Sequence, residues 1–208
     1  SIEPELLSRV KDMTEIRERR MRELIEVVNG VIPEKFRDTI ELDNVKKAAE
    51  GVLARPHLAR EMVRLGIVSS TNQAFERYLV KYNVQRENLD AATAISLVRQ
   101  SKGVPVMAHP GERSYSLICP EKGRKKENAP VLVEELKEMG LLGLECHYPY
   151  QERMGTVQYF IDLANEFDMI VTGSRDFHGF YNHQQVNIFG TTKMEPVFHE
   201  QFQSVWQS

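Results

Sequence analysis

Three short apolar runs constrain this chain more than any other feature: Val104-Pro105-Val106-Met107-Ala108, Leu141-Leu142-Gly143-Leu144 and Met169-Ile170-Val171-Thr172. Each has the length of a buried strand, and the stretches between them have helical spacing. A helix is expected from Ala91 to about Gln100, another from about Pro130 to Met139, and a third from about Gly155 to Phe167 with Val157, Phe160, Ile161 and Ala164 on one face. Strands alternating with helices predict a parallel sheet, because parallel neighbours need a crossover that a helix supplies.

Each apolar run leads into residues that bind metals. The first enters His109-Pro110-Gly111, the second Glu145-Cys146-His147, and the third Gly173-Ser174-Arg175-Asp176-Phe177-His178-Gly179. All C-terminal ends of a parallel sheet lie on one rim, so residues about seventy positions apart converge there. His, Glu and Asp together suit zinc, manganese or iron. Asp176 and His178 lie two apart, and an extended segment would turn both the same way. Glu145 is the carboxylate favoured at the second junction, whereas His147, among Tyr148, Pro149 and Tyr150, lines a pocket wall. His183 and His199 have no strand-end setting and read as surface residues.

Residues 1 to 90 have another character. Apolar residues recur at helical spacing from Leu6 through Val10, Met13 and Ile16 to Leu24, Ile25 and Val28, stopping at Gly30. Further helices are expected from Asp43 to Gly51, from Pro56 to Gly66, and from Ser70, where Gln73 has capping-box spacing. No strand is needed. This part carries 16 basic and 16 acidic residues, and its Glu/Arg run from Glu15 to Glu26 is a solvated helix face. Arg55-Pro56-His57 opens a helix. Open N–H groups, a guanidinium and an imidazole there favour an anion such as phosphate, and a first-turn proline with Arg55 paired to a carboxylate explains it equally well.

The whole chain of 208 residues has a net charge of -3, which disfavours a broadly basic duplex nucleic-acid binder. The cluster Glu121-Lys122-Gly123-Arg124-Lys125-Lys126 is an exposed connection first and a phosphate-attracting lid second. Two cysteines, Cys119 and Cys146, make no disulfide framework or metal motif. With no span of about eighteen apolar residues and no signal-peptide pattern, no membrane association and a cytoplasmic location are expected.

Five pieces in order resemble the polymerase and histidinol phosphatase (PHP) family of metal-dependent phosphoesterases. They are Arg55-Pro56-His57-Leu58-Ala59-Arg60, Ala74-Phe75-Glu76-Arg77-Tyr78-Leu79, Val106-Met107-Ala108-His109-Pro110, Gly143-Leu144-Glu145 with Tyr148-Pro149, and Thr172-Gly173-Ser174 with Asp176-Phe177-His178-Gly179. The first two are similar to the helical insertion of the subgroup acting on nucleoside bisphosphates and short oligonucleotides, so the resemblance covers roughly residues 5 to 192.

The resemblance implies an α/β fold: the C-terminal part of a distorted seven-stranded (β/α) barrel, residues 91–208, plus a mainly helical insertion domain, residues 1–90. It implies two or three divalent ions, Mn, Zn or Fe, with His109, Asp176 and His178 as ligands. Arg55 and His57 match the insertion motif facing the active site, where phosphate contact is expected. Glu145 either binds metal or orients substrate, and Arg175, where the family has Ser, is a candidate phosphate contact. His178 or His57 would assist proton transfer. The chemistry implied is in-line attack on phosphorus by metal-activated water, on nucleotides or short oligonucleotides. The family's opening His-x-His strand has no counterpart, since His57 is the first histidine. About 118 residues remain for a barrel that needs roughly 200 or more. The chain is therefore expected to be part of a longer enzyme, and exposed barrel edges to favour homo-oligomerisation. The alternative is a non-catalytic PHP-derived domain that binds phosphate or nucleotides or regulates. A helical interaction module resting on residues 1 to 30 is a third reading.

Overall fold

The computed structural model describes residues 3–49, 52–85, 87–112, 116–177 and 190–207. The chain divides into two compact units, Ile2–Asn88 and Leu89–Ser208.

In the first unit the described residues form helices and no strand. They are α1 (Pro4–Val31), α2 (Leu42–Lys47), α3 (Arg55–Arg64) and α4 (Thr71–Ala74), which widens into a π-helical turn over Phe75–Leu79. Leu24, Val28, Val45, Leu58, Met62 and Leu79 are fully buried in its core. Only the second half of the α1 stripe is covered: Met21, Leu24, Ile25 and Val28 are buried, while Leu7 and Val10 are exposed. Asp43 lies inside α2 rather than capping it, and α2 ends at Lys47, short of Gly51. Ser70 does cap α4, accepting from the Gln73 N–H at 3.2 Å, and the Gln73 side chain returns to the Ser69 N–H.

The second unit places α5 (Ala91–Gln100) before β1 (Val106–Met107), α6 (Ala129–Glu138) before β2 (Gly143–His147), then α7 (Pro149–Met154), α8 (Val157–Glu166), β3 (Ile170–Gly173) and α9 (Pro196–Gln207). Among the described residues the strands form one parallel sheet in the order β1-β2-β3. Val106 pairs with Gly143, and Gly143 in turn with Ile170; the register slips between Glu145 and His147. The strand at 141–144 is displaced: Leu141 and Leu142 precede it, and Glu145 and His147 belong to it. Helices α7 and α9 go beyond the sequence expectation.

Alternation sorts β2 into two faces. Leu144 and Cys146 are fully buried with Val133, Phe160 and Val171, and Glu145 and His147 are half-buried on the other face. Each fully buried Leu or Phe side chain stabilises by about 1.5–3 kcal/mol, which fixes the β2 face and with it the direction of Glu145. Where the resemblance led to the expectation of a distorted barrel, the described residues form a three-stranded parallel sheet. No helix among the described residues is long and apolar enough to cross a membrane.

Candidate functional site

The C-terminal ends of β1, β2 and β3 bring His109, Glu145, Tyr148 and Asp176 into one hydrogen-bonded and ring-contact chain. The His109 N–H donates to Glu145 Oε2 at 2.7 Å. The His109 ring lies 5.4 Å from that of Tyr148 between centroids, and the Tyr148 hydroxyl donates to Asp176 Oδ2 at 3.4 Å.

Two of these residues adopt a left-handed backbone, His109 at φ 35° and Asp176 at φ 52°. That conformation is costly for a residue with a side chain and persists where surrounding bonds impose it. Glu145 holds the first N–H, and Ser174 Oγ accepts the Asp176 N–H at 3.1 Å. The expectation that Asp176 sits on an extended segment is thus corrected: the chain turns sharply there. His178 and His183 lie outside the described residues.

Behind this chain, Gln151 is fully buried and its Nε2 donates to the Glu145 carbonyl at 3.2 Å; its Oε1 has no partner among the described residues. His147 packs against Phe198 at 5.8 Å between rings, with Nε2 buried and unpartnered among the described residues. Burial holds its imidazole below the ordinary value. The Cys146 thiol is pushed up to about 12 by burial and the adjacent Glu145 charge, so it stays protonated and inert. Arg175 is engaged with the Glu152 carboxylate of α7, and its Nη2 donates to the Thr191 carbonyl at 3.4 Å. This anchors the turn that carries Asp176. Tyr148, Gln151 and Glu152 were not assigned roles from sequence, although Tyr148-Pro149 directly after a strand carries a helix-start signal that would have found the α7 positions.

The donor types suit a divalent cation: an imidazole beyond the end of β1 and a carboxylate beyond the end of β3, with β2 and Glu145 between them. Among the described residues there is no group of three His, Cys, Asp or Glu side chains able to hold an ion. Of the residues present, His109 and Asp176 fit such a site, and Glu145 is engaged as a backbone acceptor. A cavity of about 270 Å³ lined by Asn165, Asp168, Gln201 and Ser204 lies by the opposite, N-terminal end of β3.

Arg55 and His57 belong to the helical unit. Arg55 Nη1 donates to the Leu79 carbonyl at 3.1 Å and to Asn83 Oδ1 at 3.3 Å, with the guanidinium 5.5 Å from the Phe75 ring centroid. Its partners are thus a carbonyl, an amide and a ring, not the carboxylate that one of the two sequence alternatives required. His57 Nδ1 accepts from the Ala54 N–H at 3.0 Å, so the imidazole caps α3, while the His57 backbone N–H donates to the Ala54 carbonyl at 2.9 Å. Burial, aided by the Arg60 charge, holds His57 below its ordinary value. The sign follows: the unfolded chain binds the proton more readily, so the contribution is present above the ordinary His value near 6.5 and is lost as pH falls through the depressed one. Urea midpoints at pH 7.5 and 5.5 should therefore drop more in the wild type than in His57→Ala, and equal drops would remove this capping role.

No protein-family model matches the sequence. The same fold occurs in two solved structures of low sequence identity. It is shared with a protein assigned as a metal-dependent phosphoesterase from Bifidobacterium adolescentis (TM-score 0.68, 23% identity, 94% of this chain and 64% of that one). It is shared also with an amidohydrolase from Chromobacterium violaceum bound to sulfate without metal (TM-score 0.72, 20% identity, 98% of this chain and 68% of that one). In sequence, the chain is similar to a 5'-3' exoribonuclease of Haemophilus influenzae, at 29% identity over 182 residues. That match covers 84% of this chain and 60% of the relative, so the chain spans about three fifths of that relative's length.

Proposed function

We propose that this chain carries part of the active site of a metal-dependent phosphoesterase acting on phosphate esters of nucleotides or short oligonucleotides. The observation that carries this reading is the linked set His109, Glu145, Tyr148 and Asp176 at the ends of three parallel strands, with two of its members in left-handed backbone. Strain of that kind concentrates where a side chain must be aimed. The likeness to an exoribonuclease and to a metal-dependent phosphoesterase supports the substrate class and the metal requirement.

His109, Asp176 and, from the sequence motif, His178 would hold a divalent cation. The chemistry such an ion supplies is water activation and neutralisation of charge on the phosphoryl and leaving oxygens. The remaining residues position: Glu145 fixes the His109 backbone, Tyr148 holds Asp176 through its hydroxyl, and Arg175 with Glu152 ties the Asp176 turn to α7. Within the helical unit, Arg55 and His57 are proposed as phosphate contacts on the strength of their sequence motif.

Phosphate release from a nucleoside monophosphate, a nucleoside bisphosphate and a 5'-phosphorylated oligonucleotide, measured with manganese and again with chelator, tests the reading. Metal-dependent release, reduced at least a hundredfold in Asp176→Asn, is expected. Nucleotide binding indifferent to chelator, without release, would favour the non-catalytic alternative instead.

A further inference from the structure

The basic cluster between β1 and α6 is more ordered than an exposed connection needs to be. Leu117 and Cys119 are buried, and the Leu117 N–H donates to the Pro110 carbonyl at 2.9 Å, beside His109. Cys119 and Arg124 then pair in antiparallel fashion, through N–H to carbonyl bonds of 2.8 and 3.0 Å in the two directions. Gly123 closes the turn at φ 72°. At the far end, the Tyr159 hydroxyl donates to the Lys126 carbonyl at 3.0 Å. The turn is therefore fastened at both ends, and Lys122, Lys125 and Lys126 are exposed on it.

Its position follows from topology. The chain leaves the C-terminal end of β1 and has not yet entered α6, so the turn belongs to the rim that carries His109, Glu145 and Asp176. Four cations, Lys122, Arg124, Lys125 and Lys126, stand against the carboxylates of Glu121 and Glu127, a local positive excess in a chain whose net charge is negative. Cations and aromatic rings are interleaved on this rim. Lys126 Nζ lies 4.1 Å from the Tyr159 ring centroid, and the Arg153 guanidinium of α7, which follows β2, lies 5.8 Å from that of Tyr150. Phosphate-tracking cations beside rings on which bases can stack are the requirements for holding a single strand without reading its sequence.

We infer that the turn 119–126, with Tyr159, is a binding surface for the phosphodiester backbone of a single-stranded oligonucleotide whose terminal phosphate occupies the neighbouring site. This deepens the proposed function and rests on it: the substrate would be a strand rather than a lone nucleotide.

The test compares binding of a fluorescent, 5'-phosphorylated RNA 8-mer with that of a nucleoside 5'-monophosphate by the 208-residue chain across a salt series. The 8-mer should bind tighter. In Lys122→Ala/Lys125→Ala/Lys126→Ala its advantage over the monophosphate should shrink about tenfold, and the salt dependence of log K should flatten by about 2, as expected for three lost phosphate contacts on a single strand. The triple Arg variant should keep the advantage, which separates charge from folding. Equal losses for both ligands, no advantage in the wild type, or equal competition by an acidic peptide of the same charge would each overturn the inference. Absence of metal-dependent hydrolysis with the 8-mer advantage intact would instead count against the phosphoesterase reading, so the two failures are distinguishable.

Discussion

Glu145→Ala is expected to lower divalent-metal affinity by about 10- to 100-fold and the unfolding free energy by about 2 kcal/mol, whereas Glu145→Gln should retain most of both. The reason lies in what the carboxylate touches. Its Oε2 accepts the His109 N–H at 2.7 Å, and His109 stands in the left-handed region at φ 35°. Removing the acceptor leaves a half-buried N–H without its partner and frees the backbone to relax toward a negative φ, which would swing the imidazole away from Tyr148. Glutamine keeps a carbonyl oxygen in place but loses the charge. The Ala and Gln pair therefore separates the two roles open for Glu145. If Gln loses as much metal affinity as Ala, the charge itself acts on the ion or substrate; if Gln recovers it, Glu145 works by positioning His109. Isothermal titration with manganese and urea unfolding of both variants supply the two readouts.

The same residues show how much of the site is legible in the sequence. His109, Glu145 and Asp176 could be named because apolar runs ending in ligand-type residues must converge in a parallel sheet. Their geometry could not. Nothing in His109-Pro110 or Arg175-Asp176 announces a positive φ, which arises from the tertiary partners that hold it. Arg175, read as a substrate contact, is drawn to Glu152, and Glu152 entered the rim only because Pro149–Met154 forms a helix too short to show periodicity. The C-terminal α9, from Pro196 to Gln207, was also unread: of its apolar positions, Phe198 is buried whereas Val197 and Trp206 are exposed.

Elements with local signals fared better. Helix α5 runs from Ala91 to Gln100 as expected, and Asp90, which was not singled out from the sequence, caps it by accepting the Thr93 N–H at 2.9 Å. The strands were harder to delimit. Pro105 has no N–H to give the ladder, though its carbonyl still accepts from Leu142 at 3.0 Å, so the pairing assigned to β1 begins only at Val106.

The second large effect is expected at a residue with no chemistry of its own. A Cβ added at Gly143 would stand 2.5 Å from Ile170 Cγ1 and 2.8 Å from the Ile170 carbonyl oxygen. The side chain could turn, but the carbonyl belongs to the strand paired with β2 and moves only if β2 and β3 separate. That separation would strain the bond from the Ile170 N–H to the Leu142 carbonyl, now 2.9 Å. Gly143→Ala should therefore cost about 1–3 kcal/mol, as overpacking typically does, and Gly143→Val more. Ile170→Ala is costly alone, since it empties a buried position, yet Gly143→Ala/Ile170→Ala should cost less than the sum of the two singles because one of the two clashes is gone. Strict additivity in urea unfolding would show that Ile170 is not what Gly143 accommodates. Because β2 carries Glu145 and β3 leads to Asp176, opening this pair would also separate Glu145 from Asp176. Gly143→Ala should thus lower manganese affinity even though position 143 touches no ligand, and Ile170→Ala, which leaves the strand pairing closed, should lower it less.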